Sequence, residues 1–316
     1  MLDIQLNEIP VIVIAGPTAV GKTDLSIELA QKFNGEVING DSLQVYRELN
    51  IGSGKITPEE MDGVPHHLLD ILQPNETYDV SRFVKDASTK ICDIHQRNKL
   101  PIIVGGTGLY LEALLYKLEL GQSGSSGEVR QTIQEQMEAE GSQVMWEKLN
   151  TLDPNAAEKI PFQNERRIIR ALEYIQVSGK LYSDQDGHAE QHSRFKEKII
   201  VLDRNRETLY DRINQRVGLM VESGLESEVR SLYNQANQQD WQSLKGIGYK
   251  EWFPYFEHQI TKDQVIESIR QNSRRYAKRQ LTWFRNRFKH KEWILINQES
   301  NWKDQVFNIV EKHISE

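Results

Sequence analysis

Apolar residues along the chain fall into two recurrent patterns: short unbroken runs, and longer stretches with apolar positions three and four apart. Val11-Ile12-Val13-Ile14-Ala15 is the first run. It is continuous and mostly β-branched, the pattern of a strand buried on both faces in a parallel sheet. The segment carrying Leu25, Ile27, Leu29 and Ala30 then reads as a helix that ends near Asn34-Gly35. Glu36 to Asn39 reads as a second short strand. From Ser81 to Arg97 the positions Phe83, Val84, Ala87, Ile91 and Ile94 keep near-helical spacing. Leu100 to Val104 is a third strand closed by Gly105-Gly106, and Lys198 to Leu202 and Trp293 to Ile296 are two more. Strands alternating with helices predict an α/β fold with a parallel sheet flanked by helices.

Between Leu118 and Phe195 the strand pattern disappears. Gly121 to Gly127 is a glycine- and serine-rich connector. Helical patterns follow at Val129 to Glu140, Val144 to Leu149 and Arg166 to Val177, and a polar stretch from Ser183 to Ser193 leads back. The expected organisation is a core built from residues 1–117 and 198–316, mainly helical after Glu207, interrupted by a mostly helical insertion at 118–197. No internal repeat is present.

Composition narrows the class. At 316 residues, 38% hydrophobic and 27% charged, the chain has the make-up of an ordinary globular protein large enough for a core domain plus an insert. No stretch reaches the roughly 18 apolar residues of a membrane span. Met1 to Pro10 holds Asp3 and Glu8 and no basic residue, unlike a secretory leader. The expectation is a cytoplasmic protein with no membrane partner. A single cysteine, Cys92, excludes an intrachain disulfide and a zinc knuckle, and is expected to be a buried, inert thiol. The net charge of −7 argues against a nucleic-acid partner until its distribution is read. Arg270, Arg274, Arg275, Lys278, Arg279, Arg285, Arg287, Lys289 and Lys291 share a window without acids, so that window is +9 and the remainder is −7 − 9 = −16. Segregation of this kind marks a surface for an anionic partner. A solvated basic helix face is the plainer alternative.

Candidate chemistry begins at the end of the first strand. Gly16-Pro17-Thr18-Ala19-Val20-Gly21-Lys22-Thr23 satisfies G-x-x-x-x-G-K-[ST] between a predicted strand and a predicted helix. Glycines let backbone N–H groups converge on phosphate oxygens, and the helix N-terminus adds positive potential. Lys22 adds a mobile charge, and the Thr23 hydroxyl suits Mg2+. Such a loop specifies a phosphate, not a particular nucleotide. Asp41 follows the second strand and Gly105-Gly106-Thr107-Gly108 the third, which places both on the ligand-binding edge of a parallel sheet. Asp41 there is a candidate general base or metal ligand, or only a turn-forming residue. The glycines around Thr107 leave room for a ligand, or simply make a tight turn. Arg212 and Arg216 lie one turn apart on a predicted helix and are candidate phosphate clamps. His66 and His67 are adjacent, so their side chains diverge, and they read as structural or site-lining.

Read together, GPTAVGKT (Gly16 to Thr23), DSLQVY (Asp41 to Tyr46), PHHLLD (Pro65 to Asp70), VGGTGLY (Val104 to Tyr110), RRIIRALE (Arg166 to Glu173), GIGY (Gly246 to Tyr249) and KRQLTWFRN (Lys278 to Asn286) resemble the bacterial tRNA dimethylallyltransferases. The resemblance runs from about residue 10 to residue 296. Val20 departs from the serine common in the family, and with one cysteine the chain lacks the C-terminal zinc finger of eukaryotic relatives. The resemblance implies transfer of a dimethylallyl group from dimethylallyl diphosphate to the exocyclic nitrogen of adenosine 37 in the anticodon stem-loop of tRNA. It implies a P-loop NTPase-like sheet, Mg2+ on Thr23, and a diphosphate held by Gly16 to Thr23 with Arg212 or Arg216. It casts Asp41 as base and Thr107 as its neighbour at the reacting centre, with Ser42, Leu43 and Gln44 lining the adenosine site. It also implies tRNA contacts from Arg166, Arg167, Ile168, Ile169 and Arg170, and from Arg274, Arg275, Lys278 and Arg279, in an enzyme acting as a monomer. Other readings stay open on the residues alone: a P-loop small-molecule kinase, a prenyl transferase acting on free AMP or ADP, and a nucleotide-gated RNA-binding protein.

Overall fold

The computed structural model describes residues 5–116, 127–186, 193–297 and 301–316. Of the glycine–serine connector at 121–127 only the backbone of Gly127 falls within them, and residues 187–192 of the polar stretch lie outside. The chain divides into two compact units, Met1–Tyr116 with Ser193–Glu316, and Lys117–His192.

The first unit opens with β1 (Pro10–Ala15), whose last five residues are all buried, followed by α1 (Lys22–Lys32) and β2 (Gly35–Asn39). A two-residue strand, β3 (His66–His67), comes next, then α2 (Val80–Gln96), β4 (Leu100–Gly105) and α3 (Gly108–Leu115). The second unit contributes α4 (Gly127–Glu140), α5 (Ser142–Leu152), α6 (Pro154–Lys159) and α7 (Glu165–Ser178). The chain returns with β5 (Lys196–Arg204), α8 (Arg206–Glu222), α9 (Leu225–Ala236), the short α10 (Phe253–Phe256), the long α11 (Lys262–Arg287), β6 (Lys291–Ile296) and α12 (Trp302–Ser315).

The strands form one parallel sheet in the order β3-β2-β4-β1-β5-β6. β1 sits inside it, Ile12 facing Ile102 on one side and Lys198 on the other. Val11 to Ala15 are fully buried, so both faces of the strand are covered, which explains the absence of polar alternation. Ile12, Ile14, Ile102, Ile200 and Leu202 pack with Leu25 and Leu29 of α1 and Val306 and Val310 of α12 into one core. Truncating one of these, Ile12→Ala for instance, costs about 2–5 kcal/mol by transfer and cavity terms.

Helix starts are written locally. Asp79 caps α2 by accepting from Arg82 N–H at 2.8 Å, and Thr261 and Gln264 form a reciprocal capping box on α11. Caps of this kind are worth about 1 kcal/mol each. In the helical unit Ile133, Met137, Met145, Leu149, Ile168 and Ala171 build a separate core. Asn164 caps α7, and Gly179 ends it in the left-handed conformation at φ 68°. Glu173 is fully buried there and meets Arg130 and Arg170 at 3.1 Å each.

Several expectations are amended. β3 was invisible because two residues carry no period. Cys92 is half-buried rather than buried, and burial raises its thiol pKa. α5 reaches three residues beyond the predicted helix at its C-terminus, ending at Leu152. Among the described residues no helix is long and apolar enough to cross a membrane.

Candidate active site

The turns after β1, β2, β4 and β5 all open at the carboxyl edge of the sheet, and they carry the polar groups singled out in the sequence. Between β1 and α1 the chain curls through Gly16 (φ 151°), Ala19 (φ 63°) and Gly21 (φ 106°). A Cβ on Gly16 would lie 2.7 Å from the Leu202 carbonyl, so only glycine fits. Among the described residues the backbone N–H groups of Ala19, Val20, Gly21, Lys22 and Thr23 find no acceptor within the protein. They form a row of donors at the start of an eleven-residue helix, suited to an anion.

Cations surround this loop. Lys22 Nζ donates to the carbonyls of Gly16 (3.0 Å) and Pro17 (2.8 Å), folding the side chain over the loop. Burial, then the charge of Arg216, lower its ammonium to about 7, with Asp41 opposing. Arg204 Nε donates to Val20 O and Arg212 Nε to Ala19 O, each at 2.9 Å. Arg216 approaches the Thr18 hydroxyl at 3.4 Å. Its guanidinium lies against Gly54, where a Cβ would sit 1.7 Å from Nη2. Burial disfavours the Arg216 charge, and Asp41 then Glu60 favour it. Both expected arginines thus reach the loop. Arg204, which closes β5, was missed, because a lone arginine at a strand end has no pattern. Val20 is wholly buried in the core and offers the loop only its backbone.

Asp41 has two employments. Its Oδ1 accepts from the N–H groups of Leu43 (2.8 Å) and Gln44 (3.4 Å), forming the turn. The Asn39 side chain holds the Asp41 backbone from the other direction, at 3.0 and 3.2 Å. At the same time the carboxylate is near enough for its charge to bear on Lys22, Arg216 and Tyr276. Tyr276 lies beside Thr107, and burial, then Asp41, raise its phenol to about 12. Asp41, Thr107, Lys22 and Arg216 therefore gather around one edge.

Close approach at the Gly105–Gly108 turn is by the protein itself. Cβ atoms at these glycines would meet Gly40 backbone at Gly105 (2.4 Å), the Gln280 amide at Gly106 (2.1 Å) and the Trp283 indole at Gly108 (2.3 Å). The ligand space inferred from these glycines is occupied by α11 and by the turn that follows β2. Gln44 spends its amide on Ser53 O and Gly54 O at 3.3 Å each, and Leu43 packs on Gly246. The loop that Gln44 meets is fastened from α9. The Glu228 carboxylate accepts from the N–H groups of Asn50 (3.0 Å), Ile51 (2.8 Å) and Gly52 (3.0 Å), and the Tyr249 hydroxyl donates to it at 2.8 Å. Glu228 was not foreseen, being one helical acid among many. The two histidines are structural: His67 bonds Glu36 at 2.7 Å in a cluster with Arg97 and Lys99, and His66 meets Val64 O.

The basic window resolves into two faces of α11 and its end. Arg275, Lys278, Arg279 and Lys289 are all exposed. Arg274 instead donates to Asn214 (2.7 Å) and Glu267 (2.9 Å). Arg287 pairs with buried Glu112, Arg285 reaches Asp203, and Lys291 caps the last helical carbonyls. In the helical unit Arg166 and Arg167 are exposed, and Arg170 is engaged with Glu173. Ile168 and Ile169 are 0% and 8% exposed in the core, which corrects their placement among RNA-contacting side chains.

No group of three His, Cys, Asp or Glu among the described residues could hold a metal. Thr23, at the head of α1 and exposed at its outset, offers a single hard donor through its hydroxyl. That suits Mg2+, which takes most ligands from phosphate oxygens and water.

The comparisons with known proteins agree with one another. The IPP transferase family model matches residues 44–287, and the isopentenyl transferase model residues 9–73. Over 280 residues the chain is 52% identical to a tRNA dimethylallyltransferase of Limosilactobacillus reuteri, spanning 88% of this chain and 90% of that one. The crystal structure of the full-length tRNA isopentenylpyrophosphate transferase of Bacillus halodurans matches with TM-score 0.72 and 41% identity, over 98% of this chain and 99% of its own. A eukaryotic dimethylallyltransferase captured acting on tRNA matches with TM-score 0.83 and 33% identity, over 97% of this chain and 79% of its own.

Proposed function

The chain belongs to the IPP transferase family, and on that footing we propose how it moves a dimethylallyl group onto tRNA. The donor is dimethylallyl diphosphate and the acceptor the exocyclic amino nitrogen of adenosine 37, beside the anticodon. The observation that carries this reading is the gathering of Lys22, Arg216 and Asp41 at a row of free backbone N–H groups.

The diphosphate sits on the N–H groups of Ala19 to Thr23. Lys22 turns from its two carbonyls to the phosphate oxygens, and Arg212 and Arg216 close over them. As the allylic C–O bond breaks, negative charge grows on the diphosphate, and these groups stabilise it where it develops. The carbon left behind spreads positive charge over its double bond. Thr23 would hold Mg2+, which supplies further neutralisation of the leaving oxygens. The adenine nitrogen is a weak nucleophile because its lone pair is delocalised into the ring. Asp41 takes its proton as the new C–N bond forms, a contribution of about 10²- to 10⁴-fold. Thr107 and the segment Ser42 to Gln44 line the acceptor side. The base reaches them by leaving the stacked anticodon loop. Arg275, Lys278, Arg279 and Lys289 on and just beyond α11, with Arg166 and Arg167 of the helical unit, meet RNA phosphates. The enzyme works as a single chain, in the cytoplasm where tRNA is found.

The deciding experiment incubates the protein with dimethylallyl diphosphate, Mg2+ and unmodified tRNA bearing adenosine 37, then weighs the released nucleosides by mass spectrometry. One added isopentenyl group on that adenosine is expected. Transfer to free AMP with none to tRNA, or phosphate transfer from ATP to a small acceptor, would overturn the reading.

A further inference from the structure

We infer that Gln280 is a positioning residue for this reaction: its side-chain amide ties the phosphate loop to the turn carrying Thr107, and so sets the leaving group in register with the acceptor side. The inference rests on the reading above for the identity of the reaction. Its first half, positioning of the diphosphate loop, does not.

Gln280 is 5% exposed on α11, more than 250 residues along the chain from the loop it holds. The N–H of Thr18 donates to its Oε1 at 3.0 Å, and its Nε2 donates to Gly106 O at 2.9 Å. These partners fix the amide's orientation. A backbone N–H can only donate and a carbonyl can only accept, so a flipped amide would face like against like on both sides. Room for the bridge comes from Gly106, whose missing Cβ would lie 2.1 Å from Nε2 and 3.3 Å from Gly16 O. The phosphate loop and the β4–α3 turn thus leave no room for a side chain between them, and one amide spans them.

Two consequences follow from the bonding pattern. Thr18 N–H is committed to Gln280, whereas the next five N–H groups have no acceptor among the described residues. Gln280 therefore marks where the anion-binding row begins. The neighbours of Gln280 along the same face of α11 touch the same turn. Tyr276, one turn earlier, lies beside Thr107, and Trp283, one turn later, covers Gly108. Arg275 and Lys278 are exposed, and the Arg279 guanidinium lies over the Tyr276 ring, 5.6 Å from its centroid. Removing the bridge leaves a half-buried N–H and a buried C=O unpaired, and the loop must shift to rehydrate them. A displacement of about 1 Å between reacting groups lowers rates on the order of a hundredfold.

The test uses two variants. Gln280→Met keeps shape and removes both hydrogen bonds. Gln280→Glu keeps the acceptor for Thr18 but sets an ionised oxygen against Gly106 O. Once protonated, the new carboxyl again accepts on one side and donates on the other, as glutamine does. Inorganic diphosphate affinity is followed from pH 8 to pH 5 for both variants. The wild type is titrated in parallel to account for Lys22, Asp41, Arg216 and Tyr276 around the loop. Single-turnover transfer and tRNA affinity are measured at pH 8.

Gln280→Met is expected to bind diphosphate at least tenfold more weakly at every pH and to lose 10- to 100-fold in single-turnover rate, with tRNA affinity within twofold of wild type. Gln280→Glu is expected to bind poorly at pH 8 and to approach wild type as pH falls. Recovery of that kind does not arise from a merely misfolded variant. Wild-type diphosphate affinity in Gln280→Met, or a Gln280→Glu variant with no recovery at low pH, would overturn the inference. A wild-type protein that transfers nothing to tRNA, alongside the expected diphosphate pattern, would overturn the proposed function and leave the loop-positioning half standing.

Discussion

Two residues of the site carry predictions of their own. Asp41 uses one carboxylate oxygen to shape the 41–44 turn while its charge bears on Lys22 and Arg216. Asp41→Asn retains an acceptor for the turn but cannot take a proton, so single-turnover transfer should fall at least 100-fold while tRNA binding stays within twofold. Retention of most of the rate, measured by rapid quench, would remove Asp41 from the role of base. Lys22 is the second. Its free-state pKa of about 7 lies well below the usual lysine value of 10.5. The unfolded chain therefore holds a proton there that the folded chain sheds between those values, so this group makes stability rise with pH from about 7 to 10.5. A bound diphosphate supplies the counter-charge that burial removed and lifts the pKa again. Titration calorimetry with diphosphate at pH 8, in buffers of differing ionisation heat, should show close to one more proton taken up by wild type than by Lys22→Met. Equal uptake in the two proteins would show that Lys22 is already charged. At this scale the sequence disclosed which residue types matter and not what each touches. The loop lysine, Asp41 and Thr107 stood out because glycines and strand ends frame them. Glu228 did not, because a carboxylate on a helix has no period or motif to mark it, and Gln280, though inside KRQLTWFRN, has nothing local to say that its amide reaches the phosphate loop.

Helices 8, 9 and 11 and the turns they brace show where charge reading needs geometry. Nine basic residues in one window suggested a single RNA-facing surface, but about half of them are bound internally. Arg274 is held by Asn214 and Glu267, Arg287 by Glu112, and Lys291 by the end of the preceding helix. Arg275, Lys278, Arg279 and Lys289 are left to face outward. Replacing those four by alanine should weaken tRNA binding and reduce the slope of log K against log salt by about 0.7–0.9 for each phosphate that is no longer neutralised. An unchanged slope in filter-binding titrations would move the RNA surface elsewhere. Arg274→Ala, by contrast, should act on melting temperature more than on the slope. α9 makes the second case. Glu228 accepts three successive N–H groups of the 50–52 turn, and the same loop runs on to Gly54 beneath Arg216. Glu228→Ala leaves those donors and the Tyr249 hydroxyl without their acceptor, at a cost of about 2 kcal/mol. Thermal melts should register that loss, and the Arg216 clamp should loosen, raising the KM for the donor. An unchanged KM would confine Glu228 to stability.

Across the whole molecule, the strand runs and the strandless middle were readable as patterns, because a buried strand and an amphipathic helix leave opposite periods. Sheet order was not readable. Nothing local in Val11 to Ala15 says that the neighbours of Ile12 are Ile102 on one side and Lys198 on the other. The return of the chain is better defined: Tyr116 bridges Ser193, and Arg194 N–H donates to Leu115 O at 2.8 Å. The chain thus leaves the sheet unit and re-enters it at adjacent points. Deleting residues 117–192 and joining 116 to 193 through a short glycine linker should give a folded protein that still binds diphosphate, seen by a cooperative melt, but that modifies tRNA poorly. A deletion variant that does not fold would mean the sheet unit leans on the helical one for stability. The position of β1 has a bearing on synthesis as well. A ribosome working from the N-terminus releases β1 and β4 early, yet the second neighbour of β1 emerges only after the helical unit has been made. For that interval an apolar strand has one flank open, the state in which nascent chains recruit holding chaperones or join one another. Translation speed through the stretch between β4 and β5 should therefore govern how much of this protein reaches the cell intact.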